Sequence, residues 1–345
     1  MKILIIIIVI VVLLKYLNIG KGMGKNSISS SIKYSNPEDE NTLLPGCLSN
    51  YVSLLNVYRI VFGKYSDYTF IDKNGGTPLN ISKSGAISGF YDEGTLYILS
   101  DELIYANPDS SKMFSGYFSK IFSVDFNNLS TQKVTNMESM FEGCSSLPSL
   151  DLTSFDTSSV TNMEKMFEGC DSLLSLDLTS FDTSSVTNMS SMFCSCRSLG
   201  ALLLSSFNTS NVIDMSKMFF SCKSLDTLVM HLSVNKVTNM ESMFEGCESL
   251  KSLDYFGFTF NTSTSNATNM KRMFCGCKSL KDINLAVFNT SNVIDMSGMF
   301  WDCESLPSID LSKFNTKNVI KSDNMFTKCN AEVIVGEGWS LGKIY

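Results

Sequence analysis

An α/β repeat fold is what this sequence predicts: a solenoid in which every unit of about 26 residues adds one short parallel strand and one short helix. Three observations carry the prediction. The first is self-similarity at a fixed period. Val134–Ser159 reads "VTNMESMFEGCSSLPSLDLTSFDTSS" and Val160–Ser185 reads "VTNMEKMFEGCDSLLSLDLTSFDTSS". Alignment on Met-Phe-x-x-Cys puts Cys144, Cys170, Cys196, Cys222, Cys247, Cys277, Cys303 and Cys329 in one column, with spacings of 26, 26, 26, 25, 30, 26 and 26. A degenerate earlier copy carries Met113, Phe114 and Val124-Asp125-Phe126, so the array runs over about 112–336.

The second observation predicts the helix. Val134, Met137, Met140/Phe141 and Cys144 recur at i, i+3, i+6/i+7 and i+10, the spacing of an apolar helical stripe. Thr131, or the hydroxyls of "TSS" in later copies, supply an N-cap, and Gly143 supplies the left-handed residue that ends the helix. The third observation predicts the strand. Leu150-Asp151-Leu152 alternates with period two, so its leucines point inward and Asp151 points outward. Phe155 is the next inward residue, and Asp-Thr-Ser-Ser turns the chain toward the following unit. One such unit cannot bury its own apolar stripe, and stacking the copies gives it a continuous core.

The pattern L-x-x-L-D-L-x-x-F, followed by D/N-T-S-x-V-T-N-M-x-x-M-F-x-x-C, resembles the 26-residue leucine-rich-repeat variant of BspA-like surface proteins. The segment "GTLYILSDELIYANPDSSKMF" (94–114) resembles the lead-in that opens such arrays. The resemblance covers about two thirds of the chain. It implies a leucine-rich-repeat solenoid, exported or surface-displayed, whose repeats bind other macromolecules, and it implies no catalytic residue.

Composition limits the function. The chain has 345 residues, 44% of them hydrophobic and 18% charged, which is the balance of a globular protein with a large core. A net charge of -7 and the lack of a Lys/Arg-rich block argue against nucleic acid as a partner. Lys2 and Lys15 bracket an unbroken apolar run from Ile3 to Leu14, read as a signal peptide or a signal-anchor within 1–22. The membrane is then a partner only through that segment, if it stays uncleaved. Residues 23–45 read as a polar linker, 46–111 as an N-terminal cap region and 337–345 as a C-terminal tail.

Eight of the eleven cysteines share one column, which reads as a ladder of free, buried thiols. Cys194 and Cys275 form C-x-C pairs with it and Cys47 lies upstream; these are the candidates for pairing. The two C-x-C pairs lie three repeats apart, too far to share a zinc ion, so no metal site is assigned. Seven sequons, at Asn80, Asn128, Asn188, Asn208, Asn261, Asn266 and Asn289, fall in or near turns.

The position between the strand leucines reads Asp151, Asp177, Leu203, Val229, Asp254, Asn284 and Asp310: acidic ends around an apolar middle. His231, Tyr255 and Phe256 lie beside it, and an insertion, "DYFGFTFNTSTSNAT", lengthens one repeat there. The binding candidates on the concave strand face are therefore Leu203, Val229, His231, Tyr255 and Phe256, flanked by Asp151, Asp177, Asp254 and Asp310. No catalytic constellation is found. The sole histidine, His231, has no nucleophile partner in the sequence, and no phosphate loop or dinucleotide fingerprint occurs. The sequence thus points to a non-enzymatic surface or secreted protein that needs no cofactor. It would recognise a protein or glycan on another cell or matrix. A self-associating coat or scaffold, or an intracellular interaction scaffold, stands as the alternative.

Overall fold

The computed structural model describes residues 42–43, 48, 56–68, 79–80, 87–253, 259–260, 266–286 and 288–341. The apolar segment 1–22, Cys47, Asp254, Tyr255 and Phe256 lie outside them. Among the described residues no helix is long and apolar enough to cross a membrane.

Short strands make up the regular structure: β1 (Arg59–Gly63), β2 (Leu79–Asn80), β3 (Ser88–Asp92), β4 (Thr95–Leu99), β5 (Ile104–Tyr105), β6 (Ser123–Asp125), β7 (Leu129–Ser130), β8 (Ala201–Leu204), β9 (Thr227–Leu232), β10 (Thr259–Phe260), β11 (Ser308–Leu311) and β12 (Glu332–Val335). The N-terminal part forms a five-stranded sheet ordered β2-β3-β4-β1-β6, antiparallel across β2-β3-β4 and parallel across β4-β1-β6. Small parallel sheets follow, β5-β7, β8-β9-β10 and β11-β12.

The predicted α/β leucine-rich-repeat solenoid, with a helix in each repeat, is not what the chain builds. Among the described residues helical structure is confined to Leu48 and two short 3-10 segments, Tyr65–Asp67 and Tyr117–Lys120, and none of these is the Val-Thr-Asn-Met-x-x-Met-Phe segment. That segment is a run of turns. Met140, Glu142 and Cys144 donate their N–H to the carbonyls of Met137, Ser139 and Phe141, three residues back. The intervening donors leave the unit altogether: Met137, Ser139, Phe141 and Gly143 donate to Asn162, Glu164, Met166 and Glu168 of the next copy. An α-helix would send every one of these N–H groups to its own turn.

Two left-handed residues per unit make this path possible. Ser139, Lys165, Ser191, Lys217, Ser242, Arg272, Gly298 and Asn324 have φ between +55° and +62°, and the residue before each column cysteine, from Gly143 to Lys328, is also left-handed. Such residues end a right-handed helix. The asparagine of V-T-N adds to the effect. Asn136 Oδ1 takes the N–H of Glu138, and Asn162, Asn188, Asn239 and Asn269 repeat that bond; their Nδ2 groups, like that of Asn136, donate to a carboxylate of the preceding copy, Asp109 for Asn136, Asp214 for Asn239, and Glu138, Glu164 and Glu241 for Asn162, Asn188 and Asn269. A side chain that bonds its own backbone in this way competes with helix. A parallel bridge at this position links copy to copy from Asp109 to Lys321.

The expected N-cap threonine has a different task. Thr131 Oγ1 donates to the Asp156 carbonyl at 2.9 Å and accepts the Asp156 N–H at 2.8 Å. Thr157, Thr183 and Thr209 do the same to Asp182, Asn208 and Ser233, and Thr290 to Asn315. Val234 takes the threonine's place one copy later and has no hydroxyl to extend the ladder toward the insertion.

The core runs the length of the stack as columns of like residues. Phe114, Phe141, Phe167, Phe193, Phe219, Phe244, Phe274, Phe300 and Phe326 lie ring on ring, with centroids 5.1–6.0 Å apart and planes within 15° of parallel. Burying each ring is worth about 1.5–3 kcal/mol, and each ring pair adds about 0.5–1.5 kcal/mol. Beside them lies the cysteine column. The thiols of Cys144, Cys170, Cys196, Cys222, Cys247, Cys277 and Cys303 each donate to the phenylalanine carbonyl of the preceding copy at 3.0–3.2 Å. All ten cysteines among the described residues, Cys194 and Cys275 included, are free.

Among the described residues the last copy is only half covered. β12 pairs with β11, Trp339 rests on Phe326, and the Gly338 carbonyl accepts from Thr316, so residues 332–340 supply the strand arm of one further rung. A Cβ on Gly336 would meet the Ser312 carbonyl oxygen, which is why glycine stands there. The N–H groups of Ser322, Asn324, Phe326 and Lys328 occupy the positions that reach forward in every earlier copy, and no further copy stands over them among the described residues.

Candidate binding face

Each copy presents three outward positions on its strand arm. The first column is Ser149, Ser175, Ala201, Thr227, Ser252, Asp282 and Ser308. The second is Asp151, Asp177, Leu203, Val229, then Asn284 and Asp310. The third is Thr153, Thr179, Ser205, His231, then Ala286 and Ser312. The alternation predicted for the strand is present where the strand is regular: β8 and β11 run exposed, buried, exposed, buried, and β9 keeps the same alternation, with Thr227 and Val229 half-buried and His231 exposed.

The structure brings Leu203 and Val229 together. They are register partners across the parallel pair β8–β9, Leu203 is 53% exposed and Val229 is half-buried. His231 is exposed two positions further along β9, opposite Thr259 of β10. Asp254, Tyr255 and Phe256 lie outside the described residues, so their share in the face is unassigned. Asp151 and Asp177 occupy the two preceding rungs and Asp310 a later one, all exposed.

These carboxylates have local partners. Asp151 Oδ1 accepts the Thr153 hydroxyl at 2.7 Å and its N–H at 3.1 Å, and the two bonds hold the carboxyl below the usual aspartate range. Asp177 is held down in the same way by the N–H and hydroxyl of Thr179, and Asp310 by Ser312. The turn bond does not exclude a strand, since Asp310 makes it at β11. In β8 and β9 the aliphatic Leu203 and Val229 stand in the aspartate's place.

Two apolar features were missed at the level of sequence. Ile334 of β12 pairs with Asp310 and continues the second column, with 46% of its surface exposed. Its flanking motif lacks the L-D-L signature that marks the other copies. On the V-T-N arm a groove of about 620 Å³ is lined by Thr238, Asn266, Thr268, Asn292, Ile294, Asn318 and Ile320. The signal for it was readable: the threonine of V-T-N becomes Ile213, Ile294 and Ile320 in three copies, and all three are exposed.

Of the sequons, Asn128 is buried and donates to the carbonyls of Gly63 and Glu102, a structural role. Asn188 is half-buried and bonded to Glu164 and Ser190. Asn208 and Asn289 are exposed and close Asx turns. Among the described residues no group of three or more His, Cys, Asp or Glu side chains is placed to hold a metal ion.

A comparison with curated proteins returns no match. One family's sequence model does match, at residues 108–203, 172–257 and 259–343; it is described as "Mycoplasma protein of unknown function, DUF285". The resemblance to BspA-like leucine-rich-repeat proteins is thereby corrected, since this is a different family and the repeats lack the helix that resemblance implied. The matched segments cover the stacked copies and well over half of the sequence, and the chain belongs to the DUF285 family.

Proposed function

We propose that this chain is a non-enzymatic recognition protein that binds a protein or glycan outside the cell through the outward face of β8 and β9. The observation that carries the reading is the Leu203–Val229 pair: aliphatic side chains side by side on a face whose other outward positions are mostly Ser, Thr, Asp and Asn. Grouped exposed apolar residues with a polar surround are the composition of an interface. The apolar run from Ile3 to Leu14 supports export. Two experiments test it. Protease shaving of intact cells should remove the stacked copies; protection would sink the extracellular reading. Leu203→Asp with Val229→Asp should abolish partner capture by the folded protein, and unchanged capture would move the site elsewhere.

A second reading, a self-associating scaffold, draws on the half-covered last rung. Among the described residues no copy stands over the forward-facing N–H groups of Ser322, Asn324, Phe326 and Lys328, Ile320 is exposed, and β12 pairs on one side only, with β11. Open edges of this kind template pairing with another chain. Concentration-dependent sedimentation that Ile334→Lys reverses would favour it over the first reading.

A further inference from the structure

The outward face has a charge pattern that narrows its partner. Among the described residues the three outward columns contain no lysine or arginine, although the chain holds 27 of them. Five carboxylates, Asp151, Asp177, Asp282, Asp310 and, where β12 continues the first column, Glu332, stand in these columns and are exposed. The unit before the first full copy extends the acidic row: Asp125 of β6 sits in the second column and its Oδ1 takes the N–H of Asn127, the same turn as in Asp151 and Asp177. Cations border the columns without entering them: Lys251 and Lys281 each stand one position before the first column, Lys251 pairing with Asp226 at 3.7 Å, and Lys313 follows the third column.

The arrangement along the stack is therefore polarised. Three consecutive rungs carry Asp125, Asp151 and Asp177, and the next two carry Leu203 and Val229. Rungs of a parallel sheet are about 4.8 Å apart. The carboxylates accordingly lie within about 5–15 Å of the aliphatic pair, on its N-terminal side. The aspartates are fixed in direction by their turn bonds to Thr153 and Thr179, so they form a preorganised rim and not a mobile cloud of charge. An anionic membrane or a nucleic-acid backbone would be repelled by such a face.

Resting on the reading of β8–β9 as the binding face, we infer that its partner is a cationic polypeptide segment. An aliphatic anchor of the segment seats on Leu203 and Val229, and lysine or arginine side chains on one side of the anchor meet Asp177, Asp151 and Asp125. The apolar contact supplies the holding energy and the carboxylate rim selects the sign and the direction of the partner.

The probes are two short labelled peptides with a common Leu-Leu-Val centre, one flanked by lysines and its twin by glutamates, titrated into the full chain and read by fluorescence anisotropy. The lysine peptide is expected to bind and the glutamate twin not to. Combined Asp151→Asn and Asp177→Asn should weaken the lysine peptide roughly tenfold at low salt, with a smaller effect at high salt. Equal binding of the two peptides, binding of neither, or indifference to the asparagine variants overturns the charge assignment. A neutral variant, Leu203→Ser with Val229→Ser, separates that result from failure of the face itself. If lysine-peptide affinity survives the serine variant, β8–β9 is not the binding face; if it is lost there and the peptides were equal, the face stands and only the cationic partner falls. An unchanged thermal melt in each variant shows that the fold is retained.

Discussion

Leu203 and Val229 are register partners on the outward side of β8 and β9, at the place where two successive copies replace the strand aspartate with an aliphatic residue. The replacement exposes apolar surface and removes the carboxylate that bonds its own backbone in the two preceding copies. Leu203→Asp restores the neighbours' residue. The variant is expected to fold with stability within about 0.5 kcal/mol of the parent, and to lose partner capture. A melting transition lowered by several degrees would instead show that the pair holds the sheet.

The phenylalanine column predicts a steep cost for an interruption. Phe193 is fully buried between Phe167 and Phe219, with centroid distances of 5.6 and 5.7 Å. Phe193→Ala should cost about 3–5 kcal/mol in chemical denaturation, the range for a buried ring that leaves a cavity. A loss below about 1 kcal/mol would mean the column collapses around the gap.

Thr157 is 1% exposed and its hydroxyl serves both backbone groups of Asp182. Valine has nearly the same shape and neither bond. Thr157→Val leaves an N–H and a C=O unpaired near the core and should cost about 2–4 kcal/mol, with Thr157→Ser recovering more than half. Equal stability of the two variants would reduce the threonine ladder to a packing feature.

Lys217 separates turn from helix directly. Its φ is +56° and its side chain is exposed. In a helix, Lys217→Gly would destabilise by about 0.5–1 kcal/mol. In the left-handed turn the same change removes a steric penalty of about 1–2 kcal/mol and should leave the protein as stable as before or more so. Guanidinium denaturation of the single variant decides between them.

The thiol column makes the fold sensitive to base. Burial pushes Cys170 and Cys247 from the ordinary 9.0 up to about 12. Because the folded value lies above the unfolded one, the thiols' contribution is complete below about pH 9 and is lost as pH rises toward 12. Denaturation midpoints should therefore fall across that window. Native protein at about pH 8 should leave the buried ladder thiols, from Cys144 to Cys303, unalkylated until denaturant is added. Rapid native labelling of Cys170 would contradict the buried column.

Much of this architecture was legible in the sequence, and the misreading has a definite cause. Val134, Met137, Met140, Phe141 and Cys144 were read as inward and all are buried. Their spacing of three fits one face of a helix, and it fits equally a chain of turns closed three residues back. The deciding groups are the N–H donors of Met137, Ser139, Phe141 and Gly143, whose acceptors lie 25 residues along the chain. No local pattern records a partner that distant. The left-handed residues gave little warning either, since Ser139, Lys165 and Arg272 are not residue types that announce a positive φ. For the site, the column reading identified Leu203 and Val229 but could not see Ile334, which lacks the motif.

The sequence by itself determined the period, the register of one copy on the next, and which side chains face inward or outward, because those follow from apolar spacing however the backbone travels. The tertiary structure alone decided the path of that backbone and the partner of each N–H. A helix satisfies its donors within one segment, whereas these copies satisfy half of theirs in the neighbour, so the choice exists only once the copies are stacked.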